Sequence, residues 1–134
     1  MASSSDLAER SAENVVRAMS KHGIRRLVTI SAAGVGDSFQ KVSPLMRLLI
    51  RNSNIERANR DFENMEEVYE KSNIDSLAVR PVGLVNGQTN NRAKLVDRFN
   101  FSSQIAKRDV AEWMLDAVER SGTFNTPTEM IGWG

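Results

Sequence analysis

The sequence predicts an α/β fold in which helices flank a parallel sheet. Two short apolar runs, Arg26–Ser31 and Ser76–Arg80, have the length and aliphatic content of buried strands. The first run ends at small residues and the second at Pro81. An amphipathic helical pattern precedes each of them. The order helix, strand, helices, strand, helix, strand therefore favours parallel strands joined by crossover helices, in one domain spanning residues 1–134.

The first half of the chain contains two predicted helices besides the first strand. Apolar residues at three- and four-residue spacing predict a first helix that stops at Gly23. Ala32–Ser38 is predicted as a loop, and Ser43-Pro44 has the composition of a helix start, with the helix continuing through Ile50. The apolar stripe of the first helix comprises Ala8, Ala12, Val15, Val16 and Met19.

The second half begins with a longer predicted helix, Asn54–Ser72, which Asn73 would end in a left-handed conformation. Its inner face would carry apolar side chains, among them Phe62, Met65 and Tyr69. The remaining predictions are a polar loop over Val82–Lys94, a possible short strand over Leu95–Phe101, a helix over Lys107–Arg120 ended by Gly122, and a last strand over Glu129–Trp133.

Composition excludes several classes of function. The 18 basic and 17 acidic residues give a net charge of +1, which provides no field for nucleic acid or an anionic membrane. The absence of cysteine excludes disulfides and thiolate metal sites, and a single histidine, His22, provides no metal-ligand set. No apolar run reaches the roughly 20 residues that span a bilayer, and residues 1–6 lack the features of a signal peptide. We therefore expect a cytoplasmic protein without a metal.

Several segments resemble the atypical short-chain dehydrogenase/reductase family, the NAD(P)-binding group that includes NmrA-like and biliverdin-reductase-B-like proteins. The resemblance runs from about Ala12 to Trp133 and corresponds to about the C-terminal two-thirds of a family member. Five segments carry it in the family's order and approximate spacing: Asn14–Met19, His22–Gly36, Met65–Ser72, Val79–Leu84 and Ala106–Ala111.

The resemblance implies a truncated Rossmann-like sheet that lacks the family's N-terminal glycine-rich βαβ unit. In that unit, backbone amides at a helix N-terminus hold the cofactor diphosphate. Gly34-Val35-Gly36 follows a strand, but Phe39 occupies the third glycine position, so we interpret this segment as an ordinary loop.

The resemblance also implies candidate site residues and NADP or NAD as the cofactor. Ser31 is the candidate catalytic residue and a cofactor contact, because open α/β sheets bind ligands at the carboxyl ends of their strands. A serine bonding to its own loop is the structural alternative. The implied cofactor contacts are Ser31, Ala32, Pro81, Val82 and Gly83, although Pro81 and Gly83 would also be explained by the strand end and its turn.

Other family positions do not supply acid–base chemistry. The tyrosine-x-x-x-lysine pair would fall near Ala58 and Phe62, and neither residue can transfer a proton. Tyr69 is predicted to pack in the core and His22 to cap a helix. Asp109 matches the aspartate that structures a helix start beside the substrate pocket.

We interpret the charged pairs Arg25-Arg26 and Glu66-Glu67 as solvated faces.

Three hypotheses about function follow. The first is an NAD(P)-binding-type protein without independent cofactor binding or redox activity. The second is an active NAD(P)-dependent oxidoreductase completed by another chain or a missing segment. The third is a cofactor-free small-molecule isomerase or cyclase, for which the sequence offers no acid–base pair. In each case we expect a homo-oligomer formed through an exposed sheet edge, with a small molecule as a possible ligand.

Overall fold

The computed structural model describes residues 5–87 and 92–133 and has an α/β architecture, as predicted. Gly23 ends the first helix in a left-handed conformation, with φ of 68°. Ser43 caps the second helix by accepting a bond from the Met46 amide at 3.4 Å. The α-helices are α1 (Leu7–His22), α2 (Pro44–Arg51), α3 (Ile55–Lys71) and α4 (Lys107–Val118), and Gly36–Lys41 forms a 3₁₀ helix.

The end of α3 differs in detail from the prediction. The helix stops at Lys71, and Ser72 follows in an extended conformation. The Ser72 hydroxyl donates to the Tyr69 carbonyl oxygen at 2.6 Å. Ser72 therefore satisfies the helix end, the role that the sequence suggested for Asn73.

The main sheet is parallel except at one edge. The strands are β1 (Arg26–Ile30), β2 (Asp75–Pro81), β3 (Gly83–Val85), β4 (Lys94–Leu95), β5 (Gln104–Ala106) and β6 (Thr128–Gly132). Strands β1, β2 and β6 lie side by side in parallel, and β4 pairs antiparallel with β6. Strands β3 and β5 form a separate parallel pair.

The prediction for Val82–Lys94 and Leu95–Phe101 was wrong in part. The first segment, predicted as a loop, contains β3 and the first residue of β4, with residues 88–91 outside the described part. The second contributes only Leu95 to a strand, because the Val96 amide bonds to Met130 of β6 while Phe99 bridges to Val42 in a different segment. Two separate partners thus break the predicted continuous strand.

The core lies on both sides of the sheet. On one side α1 packs against α3 through Ala12, Met65 and Tyr69. Tyr69 is buried, as predicted, and burial raises the pKa of its phenol while a hydrogen bond to Thr29 opposes the rise. The larger cluster is built around fully buried side chains that include Leu77, Val79, Ile105 and Ile131.

Strand β1 lies at the edge of the sheet. Within the described residues it pairs with β2 and with no other strand. The bonds from the Ser31 amide to Val79 and from the Asp75 amide to Arg25 show that odd-numbered residues face β2. By alternation, the backbone groups of Val28 and Ile30 point away from β2. The Ile30 side chain beside this edge is 42% exposed.

Candidate functional site

The carboxyl ends of β1, β2 and β6 meet at one edge of the sheet. The Ser31 amide donates to the Val79 carbonyl at 2.7 Å, and the Ala33 amide donates to the Pro81 carbonyl at 3.0 Å. On the other side, the Val82 amide donates to Ile131 at 3.0 Å. The segments that carry Ser31, Ala32, Pro81 and Val82 are therefore held next to each other, in the position where open parallel sheets bind ligands.

Gly83 lies where two backbones approach closely. A Cβ atom at this position would come within 2.8 Å of the Ser103 carbonyl oxygen. Gly83 thus permits the pairing of β3 with β5 directly after β2 ends. This close backbone approach accounts for a glycine at position 83, and no ligand contact is needed to explain it.

Ser31 has a buried hydroxyl without a partner. The residue is 5% exposed, and its Oγ forms no hydrogen bond with the described part of the chain. The sequence left open that this serine bonds to its own loop, and the structure shows no such bond from the hydroxyl. An unpaired buried hydroxyl is uncommon. Because Ser31 Oγ is buried, a ligand at the strand ends reaches it only if the covering atoms move.

The loop after β1 is fixed by internal hydrogen bonds. The Gly34 amide donates to Ser38 Oγ at 2.8 Å, and the Ser38 hydroxyl donates to the Val35 carbonyl at 2.6 Å. The Val35 amide donates to Ala32 at 3.3 Å. Together with the bonds of Ser31 and Ala33, these commit most amides of the loop to partners inside the protein. The chain then enters the 3₁₀ helix rather than an α-helix.

Arg80 of β2 forms a buried ion pair with Glu66 of α3 and a second ion pair with Asp37, a largely exposed residue just after this loop. Nε and Nη2 of Arg80 donate to the two carboxylate oxygens of Glu66, at 3.0 and 2.6 Å, and Nη1 donates to Asp37 at 2.6 Å. Side chains of Arg80 and Glu66 are each 6% exposed. The interpretation of Glu66 as a solvated residue was therefore wrong, because its carboxylate is the counter-charge that a buried arginine requires.

The hydrogen bonds of Arg80 determine the direction in which the pKa values of Asp37 and Arg80 shift. The hydrogen bond from Arg80 is the largest influence on Asp37 and lowers the pKa of its carboxyl, against a smaller opposing effect of burial. Burial opposes the charge of Arg80, yet the bonds to Glu66 and Asp37 more than compensate and raise the pKa of its guanidinium. The hydrogen bonds of Arg80 thus favour the charged forms of Asp37 and of Arg80 itself.

Arg26 was also wrongly interpreted as solvated. Its Nη1 donates to the Gly122 carbonyl at 2.9 Å, and its guanidinium lies 4.2 Å from the centre of the Phe124 ring. Asp75 lies 3.9 Å from its Nε. Arg26 joins the start of β1 to the segment after α4, away from the strand ends that form the site.

Helix α3 turns different residues toward the loop than the resemblance implied. Ala58 and Phe62 line a hollow formed with α1, on the side of Leu7. Asn59 and Glu63 instead line a hollow of about 270 Å³ together with Gly34 and other residues of the loop after β1. Neither Asn59 nor Glu63 reproduces the tyrosine–lysine pair.

A second hollow, of about 390 Å³, lies over the ends of β2 and β6. We call it the β2–β6 hollow; Val82, Val96, Arg98, Asn100, Ser102, Ser103, Gln104, Gly132 and Trp133 line it. The Trp133 indole donates to Asp109 Oδ2 at 2.6 Å. Asp109 is 3% exposed in the first turn of α4, and its role beside a substrate pocket stays a prediction.

The described residues contain neither a metal-ligand cluster nor a helix that could span a membrane. Within residues 5–87 and 92–133, no three His, Asp or Glu side chains gather as a possible metal-ligand set. In the same part of the chain, no helix is both long and apolar enough to cross a bilayer.

Comparison with known sequences decides the family. The profile of the NAD(P)H-binding family matches residues 1–121. This chain belongs to the NAD(P)H-binding family. The resemblance to atypical short-chain dehydrogenases/reductases is thereby confirmed. No curated protein matches the sequence at a significant level.

Solved structures similar to this NAD(P)H-binding family member share its fold. ChuY from Escherichia coli superposes with a TM-score of 0.75 at 21% identity, over 92% of this chain and 64% of ChuY. A putative NAD-dependent epimerase/dehydratase from Bacillus halodurans gives 0.77 at 20% identity, covering 98% and 59%. A short-chain dehydrogenase/reductase from Veillonella parvula, solved in complex with NADP, gives 0.77 at 17% identity, covering 96% and 59%. The chain therefore spans about three fifths of the length of the structures it matches.

Proposed function

We propose that this chain forms the nicotinamide- and substrate-facing part of an NAD(P)-dependent reductase-like protein, and that alone it binds neither NADP nor NAD tightly. Family membership and the NADP complex of the Veillonella parvula relative support a dinucleotide as the ligand type. A related ChuY structure is described as an anaerobilin reductase, which supports reduction as the reaction type. The carboxyl ends of β1 and β2 are the part of the site that this chain contributes.

The hydrogen bonding of the loop after β1 carries the proposal of weak binding. A cofactor diphosphate needs several free amides that point at it, usually at a helix N-terminus that follows a strand. In this loop the amides of Ser31, Ala33, Gly34 and Val35 already donate to internal partners. Binding a diphosphate there would first require breaking these bonds.

Titration calorimetry with NADPH and NADH tests the proposal. We expect no binding tighter than the millimolar range for the isolated chain. The Veillonella parvula relative, measured in the same buffer, is the positive control. Micromolar affinity of the isolated chain for either cofactor would contradict the proposal.

The same proposal assigns a role to the open edge of β1. Outward-facing backbone groups at Val28 and Ile30, next to the exposed Ile24 and Ile30 side chains, form a surface that a strand of a second copy can cover. We therefore propose self-association through this edge. The cytoplasmic location stays a prediction from the sequence.

Sedimentation of the wild type and two variants tests the edge. Ile30→Lys places a charge beside the edge and should shift an oligomer toward the 14.9 kDa monomer. Leu115→Lys changes a residue on α4 that is 69% exposed and should leave the association unchanged. A wild type that sediments only as a monomer would overturn the oligomer proposal.

The unpaired Ser31 hydroxyl favours a second candidate, an active oxidoreductase that is complete once another chain or segment supplies the diphosphate site. A serine hydroxyl at this position can donate to a carbonyl oxygen that is being reduced. Incubation of concentrated protein with NADPH and the dye dichlorophenolindophenol distinguishes the two candidates. Dye reduction that Ser31→Ala abolishes would establish the active candidate with a second copy as the completing chain; no turnover above buffer would exclude that form of it.

A further inference from the structure

The charge that lines the β2–β6 hollow is positive. Of the described residues that form it, only Arg98 carries a charge, and no carboxylate faces the hollow. Arg98 is exposed and makes no ion pair or hydrogen bond with the described part of the chain. Its guanidinium is therefore free to bind an anion that enters the hollow.

Neutral hydrogen-bonding groups line the same hollow as this arginine. Ser103 Oγ accepts from the Asn100 amide at 3.0 Å, which leaves its own hydrogen free to donate. Asn100 Oδ1 accepts from both the amide and the hydroxyl of Ser102, at 2.8 and 2.6 Å, so this turn is held rigid. The lining thus combines a cation with a preformed polar turn.

Val82, Gly132 and Trp133 give the same hollow an apolar part that is fixed in place. Trp133 is held at its indole nitrogen by Asp109, at 2.6 Å, and at its amide by Gln104, at 3.1 Å. Val82 packs so closely to Gly132 that a Cβ on the glycine would meet it at 3.0 Å. A ring fixed at both its polar edge and its backbone offers a planar surface against which an apolar group can pack.

We propose that the β2–β6 hollow binds a carboxylate ligand with a planar apolar body, with the carboxylate at Arg98 and the body against Trp133. A volume of about 390 Å³ admits a ligand of one or two rings. The hollow begins at Val82, next to Pro81, whose carbonyl is bonded to the loop that carries Ser31. We assign this hollow as the substrate site, an assignment that rests on the proposed function. Binding of an anion by the hollow can be measured without any cofactor.

Nuclear magnetic resonance titration with 2-naphthoate and the neutral 2-naphthamide tests this inference. We expect naphthoate to shift the indole signal of Trp133 and the amide signal of Gly132, and to bind about tenfold more tightly than the amide. Added salt should weaken naphthoate binding and leave the amide unaffected. Since the experiment contains no dinucleotide, its result is independent of the calorimetry with NADPH.

Variants of Arg98 test whether this residue causes the preference for naphthoate over naphthamide. Arg98→Gln should remove the preference for naphthoate over naphthamide, and Arg98→Lys should keep part of it because the charge remains. Arg108→Gln is the matched control, since Arg108 is 73% exposed on α4 and pairs with Glu112 outside the hollow. Equal affinity of the wild type for the acid and the amide, or unchanged naphthoate binding by Arg98→Gln, would overturn the inference. Shifts confined to residues outside the hollow would do the same.

Discussion

The Arg80 guanidinium and the Glu66 carboxylate form a two-point ion pair in the protein interior, with donor–acceptor distances of 3.0 and 2.6 Å. Arg80 lies in β2 and Glu66 in α3, so the pair joins the sheet to a flanking helix. The third partner, Asp37, follows the loop that carries Ser31. One guanidinium therefore fixes three parts of the fold at the edge where the strands end.

Removal of the Glu66 carboxylate should destabilise the protein strongly. Glu66→Ala leaves Arg80 buried beside a cavity, and breaking a buried pair on one side costs about 3 kcal/mol. Glu67→Ala is the matched control, because Glu67 is exposed on the same helix and its carboxylate lies 3.7 Å from Lys71. The control should change the free energy of unfolding by less than about 1 kcal/mol. Urea denaturation measures both, and equal values would show that the buried pair contributes no more than a surface pair.

The bond between Asp37 and Arg80 should make stability depend on pH in the acid range. Because the pKa of Asp37 is lowered in the folded state, its contribution is present above the unfolded value of 3.8 and is lost as pH falls through the lower folded value. Asp37→Asn should therefore be less stable than the wild type at neutral pH. The difference between their thermal midpoints should close as the pH falls below 3.8. A difference that stays constant to the lowest pH would mean that the charge of Asp37 does not matter.

A side chain at Gly36 should be costly for two separate reasons. The residue has φ of 58°, and a Cβ there would come within 2.9 Å of Arg80 Nη2. Gly122→Ala provides the comparison, since Gly122 has φ of 74° but no atom within 4 Å of the added Cβ. Backbone strain alone costs about 1–2 kcal/mol, so Gly122→Ala should show that loss and Gly36→Ala a larger one. Chemical denaturation of both variants measures the two losses, and an equal loss would mean that Arg80 moves aside freely.

Removal of the hydroxyl should affect the free energy of unfolding differently at the two buried serines, Ser31 and Ser38. Ser31→Ala removes a hydroxyl without a partner and should leave the free energy of unfolding unchanged or slightly increased. Ser38→Ala removes a hydroxyl that makes two bonds, at 2.8 and 2.6 Å, and should cost about 1–3 kcal/mol. Thermal unfolding of both variants compares them. A large loss for Ser31→Ala would reveal a bond from its hydroxyl inside the folded protein.

Elements with strong local patterns could be predicted from the sequence. The span predicted for the first strand ends at Ser31, one residue beyond β1, and the predicted second strand lies within β2. Helices α1 and α3 followed from apolar periodicity, and Gly23 ends α1 as expected. Strands β3 and β5, of three residues each, are too short for any periodicity and form only because distant segments meet.

The ion pair of Arg80 was missed although the sequence held a signal for it. Arg80 follows the apolar run Leu77–Val79 in a strand predicted to be buried, and a buried arginine requires a nearby carboxylate. Which carboxylate could not be deduced from sequence, because Glu66 and Glu67 are neighbours on one helix and only packing decides which turns inward. The β2–β6 hollow was missed for a similar reason, since its walls come from three separate segments.

The network of bonds around Ser38 and Arg80 also has a thermodynamic consequence for any molecule that reaches Ser31. Because the loop already holds its shape before an encounter, little backbone freedom remains to be lost on association. Selectivity at this edge should therefore come from the fit of a ligand to an existing surface rather than from ordering of the polypeptide around it.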